Sequence, residues 1–100
     1  MAAYLVADIE VTDPDAYAEY RRTVGASIAA FGGRFLARGG ATVALEGNWM
    51  PKRLVIVEFD SMERLKAWYD SPEYAPALAL RQRASVSSLV MTEGIAPPSG

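Results

Sequence analysis

The side chains that could carry out chemistry form a short set, because the 100-residue chain contains neither histidine nor cysteine. Without imidazole or thiolate, the sequence excludes Ser-His-Asp catalysis, cysteine nucleophiles, and zinc, iron–sulfur or haem sites held by these ligands. A protein with this composition would use Glu, Asp or Tyr for proton transfer and Arg to stabilise negative charge. We therefore expect no metal and no cofactor.

Glu46 is the first candidate catalytic residue. It precedes a glycine at the end of a predicted strand, a place where functional groups are often mounted. A carboxylate at the mouth of a cleft could act there as a general base or accept hydrogen bonds from a ligand. The alternative is a solvated acid in a turn, paired with Lys52 or Arg53.

Arg81 is the second candidate, for catalysis and for ligand binding. It lies on the side of a predicted helix that also carries Tyr74 and Leu78. An arginine on a partly apolar face could hold a carboxylate or an enolate through two parallel hydrogen bonds. The alternative is an arginine that reaches the surface and pairs with Glu73 or Asp70.

Three aromatic residues and a further arginine complete the candidate ligand site. Trp68, Tyr69 and Tyr74 could line a pocket for an aromatic or planar ligand, although aromatics at helical spacing often belong to the core. Arg38, directly before a glycine pair, is either an anion contact or a charge at a strand edge. The predicted ligand-binding residues are Arg38, Trp68, Tyr74 and Arg81.

The overall charge is slightly acidic. The formal net charge is -2 and the pI is near 5.0, so the chain has no basic field for nucleic acid or an anionic membrane surface. No stretch approaches the roughly 20 apolar residues that cross a bilayer, and no signal peptide is evident at the N-terminus. The expected location is the cytoplasm.

Hydrophobic spacing of two residues or of three to four residues places the strands and helices. The predicted elements are a strand at 3–11, a helix from Pro14 to the Gly32-Gly33 pair, a strand at 34–38 that continues at 42–46, a strand at 53–59, a helix after Ser61, a helix that begins at Pro72 or later, and a strand at 85–93. Residues 1–95 are expected to form a single domain, with a frayed tail at 96–100.

This order predicts an α+β, ferredoxin-like β-α-β-β-α-β protomer with an antiparallel sheet and both crossover helices on one face. The run Leu54–Val57 is apolar without alternation, which is typical of a central strand buried on both faces. Because helices cover only one face, the sequence predicts a homodimer through the other. The alternative is a monomer that tolerates an exposed apolar face.

Several segments together follow one family pattern. They are residues 31–40, 45–49, 57–61 and 68–74, followed by Arg81. The chain resembles the domain of unknown function 1330 family, within the dimeric α/β barrel superfamily. The resemblance implies a ferredoxin-like protomer that dimerises through its sheet, and it implies no reaction. More distant relatives include cofactor-independent monooxygenases, muconolactone isomerases and haem enzymes, which typically use an axial histidine that this chain lacks.

Two functions follow as hypotheses. In the first, a pocket between helices and sheet binds or transforms a small organic carboxylate or aromatic molecule without metal or haem. In the second, the protein is a non-catalytic structural or regulatory homodimer with no ligand pocket. The two differ in whether the inward aromatic side chains leave a void beside Arg81.

Overall fold

Alternating burial along the first strand divides the sheet into two faces. In the computed structural model, which describes residues 1–96, every second residue of β1 from Ala3 to Ile9 is buried under the helices. The elements are β1 (Ala3–Val11), α1 (Pro14–Ala30), β2 (Arg34–Arg38), β3 (Leu54–Phe59), α2 (Met62–Tyr69), α3 (Ala75–Ala84) and β4 (Ser85–Glu93). Of the predicted frayed tail, residues 97–100 lie outside the described part.

The four strands form one antiparallel sheet in the order β2-β3-β1-β4. The apolar strand β3 lies inside the sheet between β2 and β1, as its unbroken hydrophobic run predicts. Val57 and Phe59 of β3 are 1% and 0% exposed and pack into the helix-covered core with Leu65 of α2. The predicted α+β protomer is confirmed.

Two helix starts follow the side-chain chemistry that the sequence predicts. Asp13 accepts a hydrogen bond from the Ala16 backbone N–H at 3.2 Å, and Ser61 accepts one from the Arg64 N–H at 3.1 Å. These bonds satisfy N–H groups that have no partner within the first helical turn. Helix α3 begins later, at Ala75, which is the later of the two starts that the sequence allows.

The prediction that the second strand continues through 42–46 is wrong. Gly39 adopts a φ of +73°, which turns the chain away from the sheet. Its N–H donates to the Leu54 carbonyl at 2.9 Å, and β3 begins only at Leu54, so no neighbouring strand remains to pair with the following residues. Residues 41–46 therefore form no strand, and we call this segment outside the sheet the arm.

The face of the sheet opposite the helices carries a mixed set of side chains that no helix or strand of residues 1–96 covers. We call it the open face, and the pairing of the strands places on it Tyr4, Val6, Asp8 and Glu10 of β1, Leu54, Ile56 and Glu58 of β3, and Val86, Ser88, Val90 and Thr92 of β4. Val86 and Val90 are 68% and 63% exposed. Aliphatic side chains therefore lie in water along the edge strand β4.

Asp8 fixes the end of the loop that contains the arm. Its carboxylate accepts a hydrogen bond from Trp49 Nε1 at 2.9 Å and another from the Lys52 backbone N–H at 2.9 Å. Asp8 thus holds a loop more than 40 residues away in its own chain.

The Asp8 anchor should weaken in acid. The hydrogen bond from Trp49, aided by those from the Lys52 and Arg53 backbone, lowers the pKa of Asp8 below its ordinary value. A carboxyl whose pKa is lower in the folded state stabilises the fold above its unfolded pKa, and this contribution is lost as the pH falls through the folded pKa. We expect a change in tryptophan emission at acidic pH that precedes the loss of far-ultraviolet circular dichroism.

Asp8→Asn is the matched control for this titration, because the amide keeps an acceptor oxygen but carries no titratable charge. The early change in emission should be absent from the variant. The same early change in both proteins would show that another group controls the loop.

Candidate ligand-binding site

Arg81 is the buried cation of the protomer. It lies on α3 and is 5% exposed, and its Nε donates a hydrogen bond to the Tyr74 hydroxyl at 3.3 Å. Within residues 1–96, no carboxylate oxygen lies within 4 Å of the guanidinium and no acceptor bonds to its Nη atoms. In this part of the chain, Arg53 Nε is the only side-chain polar atom that is fully buried and has no hydrogen-bond partner. The Nη groups of Arg81 also lack a partner there, so they are not fully buried and still contact solvent. They can therefore meet an anion that approaches from outside.

Two tyrosines surround this guanidinium. The Tyr74 side chain is 0% exposed, and its hydroxyl lies beside both Arg81 and the hydroxyl of Tyr20 from α1. Burial, with the neighbouring Tyr74, raises the pKa of Tyr20 far above its ordinary value. Tyr20 is thus a neutral hydroxyl at physiological pH, able to donate a hydrogen bond but not to act as a base.

Trp68 and Tyr74 pack against one another in the core. Their ring centroids are 4.0 Å apart, and Trp68 is 1% exposed. The Trp68 Nε1 donates to the buried Ser27 hydroxyl at 3.1 Å, so the indole has its polar partner within the protein. Trp68, Tyr74 and Arg81 line neither the cavity between α1 and the sheet nor the groove between α2 and β4. The aromatic side of the site is packed shut.

Arg38 lies at the outer edge of the same layer, on β2. Its guanidinium stacks over the Phe35 ring at 4.1 Å from the centroid, and its Nη2 donates to the Arg21 carbonyl at 2.9 Å. Arg38 and Tyr20 both line a small enclosed cavity of about 20 Å³ between α1 and the sheet. Tyr20 therefore lies between Arg38 on one side and the Arg81 guanidinium on the other.

Glu46 stands apart from these residues. It is exposed at the end of the arm, and within the described part of the chain its side chain makes no hydrogen bond or ion pair. The structure thus brings together Trp68, Tyr74 and Arg81, connects Arg38 to them through Tyr20, and leaves Glu46 outside the group.

Arg53 lies close to the same tyrosines, although its position in the sequence does not predict this. Its guanidinium lies 5.5 Å from the Tyr17 ring centroid, and Tyr17 in turn lies 5.4 Å from Tyr20. A Cβ at Gly39 would come within 2.5 Å of this guanidinium, so the glycine makes room for it. In the sequence, Arg53 is indicated only as a charge at a strand start that could pair with Glu46. Nothing there indicates that its guanidinium lies beside Tyr17 and Gly39.

A larger, open groove lies on the other side of the protomer, between α2 and β4. Its volume is about 200 Å³. We call it the α2–β4 groove, and its lining is formed by Leu5, Leu65, Leu89, Val90 and Met91, with Lys66, Tyr69 and Asp70 at the α2 side. The groove is mainly apolar and follows the free edge of the sheet.

Two further features are absent from residues 1–96. No helix there is both long enough and apolar enough to cross a bilayer. In the same part of the chain, no three carboxylates lie together in a group that could hold a metal ion.

A family model matches residues 2–95, which is nearly the whole chain. The chain belongs to the DUF1330 family. The name stands for a domain of unknown function, so membership confirms the resemblance seen in the sequence and assigns no reaction. No curated protein matches the chain.

Solved structures share the fold at low sequence identity. A protein of unknown function from Rhodopseudomonas palustris is 24% identical with a TM-score of 0.73, and the match covers 96% of this chain and 84% of that one. A dimeric ferredoxin-like protein of unknown function from Thermobifida fusca is 20% identical with a TM-score of 0.63, covering 92% and 90%. SnoaB, a cofactor-independent oxygenase from Streptomyces nogalater, is 13% identical with a TM-score of 0.65, covering 96% and 95%. The ferredoxin-like fold is therefore confirmed.

Proposed function

We propose that this protein binds a small organic anion, a carboxylate or a phenolate, at the guanidinium of Arg81. The observation that carries the proposal is an arginine residue that is only 5% exposed and whose guanidinium has no carboxylate within 4 Å in the described chain. A buried charge without a counter-ion is costly, so a bound anion would remove an unfavourable term from the folded state. The two oxygens of a carboxylate match the paired N–H groups of a guanidinium.

The neighbouring hydroxyls suit the same class of ligand. Tyr74 already accepts from Arg81 Nε, and its own O–H is free to donate to a ligand or to Tyr20. A phenol or aromatic acid would present a planar ring to this tyrosine-rich layer, where offset stacking is favourable. An anion would reach the guanidinium from the side of its Nη groups, because the aromatic side of the site is packed shut.

Binding is supported better than catalysis. The Arg81 cluster could stabilise an enolate or another oxyanion, but Tyr20 keeps its proton and no carboxylate adjoins the guanidinium within residues 1–96. A general base must lie within hydrogen-bond reach of the proton that it removes. SnoaB, which shares the fold, is a cofactor-independent oxygenase, so related folds accommodate chemistry on small molecules.

Replacing Arg81 by methionine separates ligand binding from a structural role. Methionine fills similar space without a charge, and its substitution removes the cost of burying a charge that has no counter-ion. We expect Arg81→Met to keep or raise the melting temperature of the free protein and to abolish stabilisation by benzoate. The measurement is a thermal melt with and without benzoate, with neutral benzamide as the matched ligand.

Arg83→Met is the matched control variant, because Arg83 lies on the same helix and is exposed. It should respond to benzoate as the wild type does. Equal benzoate shifts in the Arg81 variant, or no shift in the wild type with any carboxylate or phenol tested, would contradict the proposal. A melting temperature lowered by several degrees in Arg81→Met would favour the second hypothesis, in which Arg81 only supports the fold.

We further propose that the protein is a homodimer assembled through the open face. Val86 and Val90 are exposed there, and the apolar side chains of Val6 and Ile56 lie next to one another between them and β2. A contiguous apolar patch on a small protein marks an interaction surface, and a two-fold dimer covers it with an identical surface. Solved relatives of this fold are described as dimeric.

Light scattering at micromolar concentration should give twice the protomer mass of 10.8 kDa. A stable protomer mass would contradict the dimer while leaving anion binding at Arg81 to be judged by the melting experiment. The cytoplasmic location and the absence of nucleic-acid or membrane partners stay predictions.

A further inference from the structure

The arm, residues 41–46, has the properties of a strand without a sheet. No backbone–backbone hydrogen bond in the described part of the chain involves these six residues. Their sequence alternates polar or small residues with Val43 and Leu45, which are 77% and 91% exposed. A segment with free N–H and C=O groups and alternating apolar side chains can become extended and join the edge of a sheet, with its apolar side chains then on one side.

An edge with matching properties is present on the same molecule. Strand β4 ends the sheet in the order β2-β3-β1-β4, so among residues 1–96 its outer N–H and C=O groups have no neighbouring strand. The α2–β4 groove runs along this edge and offers an apolar lining that includes Leu89 and Met91. Unprotected edges of this kind are usually covered in native proteins.

We infer that the arm of one protomer adds to the β4 edge of a second copy, with Val43 and Leu45 seated in the α2–β4 groove of that copy. The inference rests on the proposed homodimer and specifies how its two chains interlock. Strand addition would satisfy the free backbone groups of both segments, and the groove would remove two aliphatic side chains from water.

Continuity of surfaces favours a second copy as the occupant. Val90 lies on the open face and also lines the α2–β4 groove, so a partner seated on the open face already reaches the groove. The Asp8 anchor holds the base of the loop on the side of the open face. In a two-fold dimer each arm meets the groove of the other chain, so both pairs are satisfied at once.

The alternation of the arm suits this arrangement. In a strand added to β4, Val43 and Leu45 face the groove, whereas the side chain of Glu46 points to the opposite face, as neighbouring residues of a strand do. The seated arm therefore places no charge of its own in the apolar lining of the groove.

Engineered cysteines provide a direct test, because the natural chain contains none. Leu45→Cys and Met91→Cys variants are mixed, allowed to exchange subunits and oxidised. We expect a disulfide-linked dimer that contains one chain of each kind. The control mixture pairs Leu45→Cys with Glu63→Cys, whose cysteine lies exposed in the first turn of α2, and should give no specific product.

A second pair of variants tests the energetics without oxidation. Val43→Ser/Leu45→Ser should raise the dimer dissociation constant by about tenfold or more, since the side chains that fill the groove are lost. Ile95→Ser is the matched control, because Ile95 is 90% exposed, as Leu45 is at 91%, and lies outside the arm. It should leave the dissociation constant unchanged.

The outcomes separate this inference from the proposed dimer. If the wild type is a dimer, but the cysteine variants give no cross-link and the serine variant associates as tightly as the wild type, the arm contact is wrong. The groove then has another occupant, and the dimer itself still stands. A protomer mass for the wild type overturns the dimer and the arm contact together.

Discussion

Val57→Asp should unfold the chain, whereas Ile56→Asp should give a folded protomer that no longer dimerises. The two residues are adjacent in β3 and point to opposite faces of the sheet. Val57 is 1% exposed and packs under the helices, where an unpaired carboxylate has neither water nor a partner. We expect a loss of about 4 kcal/mol or more, which is a large share of the stability of a domain of this size.

Ile56 lies on the open face opposite Val6 of β1. Aspartate there remains in contact with water in the free protomer, so the fold should survive. In the dimer the same charge would face an apolar surface of the second copy, and association should fail. Circular dichroism measures the fold and light scattering measures the mass.

Gln82→Asp controls for the added charge, because Gln82 is exposed on α3 away from the sheet. It should behave as the wild type in both measurements. A dimeric Ile56→Asp protein would show that the open face is not the interface. A stable Val57→Asp protein would contradict the assignment of the two faces of β3.

Trp68→Ala should destabilise the protomer strongly, while Trp49→Ala should not. Trp68 stacks on Tyr74 at 4.0 Å, packs 5.5 Å from the Phe59 ring centroid, and donates to Ser27. Alanine would leave a large cavity, and truncation of a buried aromatic costs about 3–5 kcal/mol. Denaturant titration of the free energy of unfolding is the measurement.

Trp49 is the matched tryptophan, since the chain has two and this one is 61% exposed. Its loss removes the hydrogen bond to Asp8 and little buried area, so the expected change is below about 1 kcal/mol. If Trp68→Ala were tolerated as well as Trp49→Ala, the aromatic layer would be a loosely packed pocket wall and the ligand-pocket interpretation of Trp68 would gain support.

Local patterns in the sequence predict most of the protomer. Helix caps depend on contacts within a few residues, so Asp13 and Ser61 could be identified as helix starts without any tertiary information. The central position of β3 follows from the unbroken apolar run Leu54–Val57, because only a strand covered on both faces tolerates it. The alternation along β1 likewise predicts which of its side chains enter the core.

The strand predicted at 42–46 shows where local pattern fails. Alternation in the arm is real, but a strand also requires a neighbour, and β3 begins too late in the chain to supply one. Backbone hydrogen bonding between strands requires two segments, so the sequence of one segment cannot predict it. The same limit explains why the partnership of Asp8 with Trp49 could not be predicted.

The residues of the candidate site could be predicted from the sequence, but their contacts could not. Residue type and helical spacing by themselves identified Arg81, Trp68 and Tyr74 as a group on inward-facing helix surfaces. Only the tertiary packing decided that Trp68 and Tyr74 close on one another and that Arg81 has Tyr74 but no carboxylate beside it. Burial and charge pairing depend on contacts between residues distant in the chain, so the three-dimensional arrangement alone determines them.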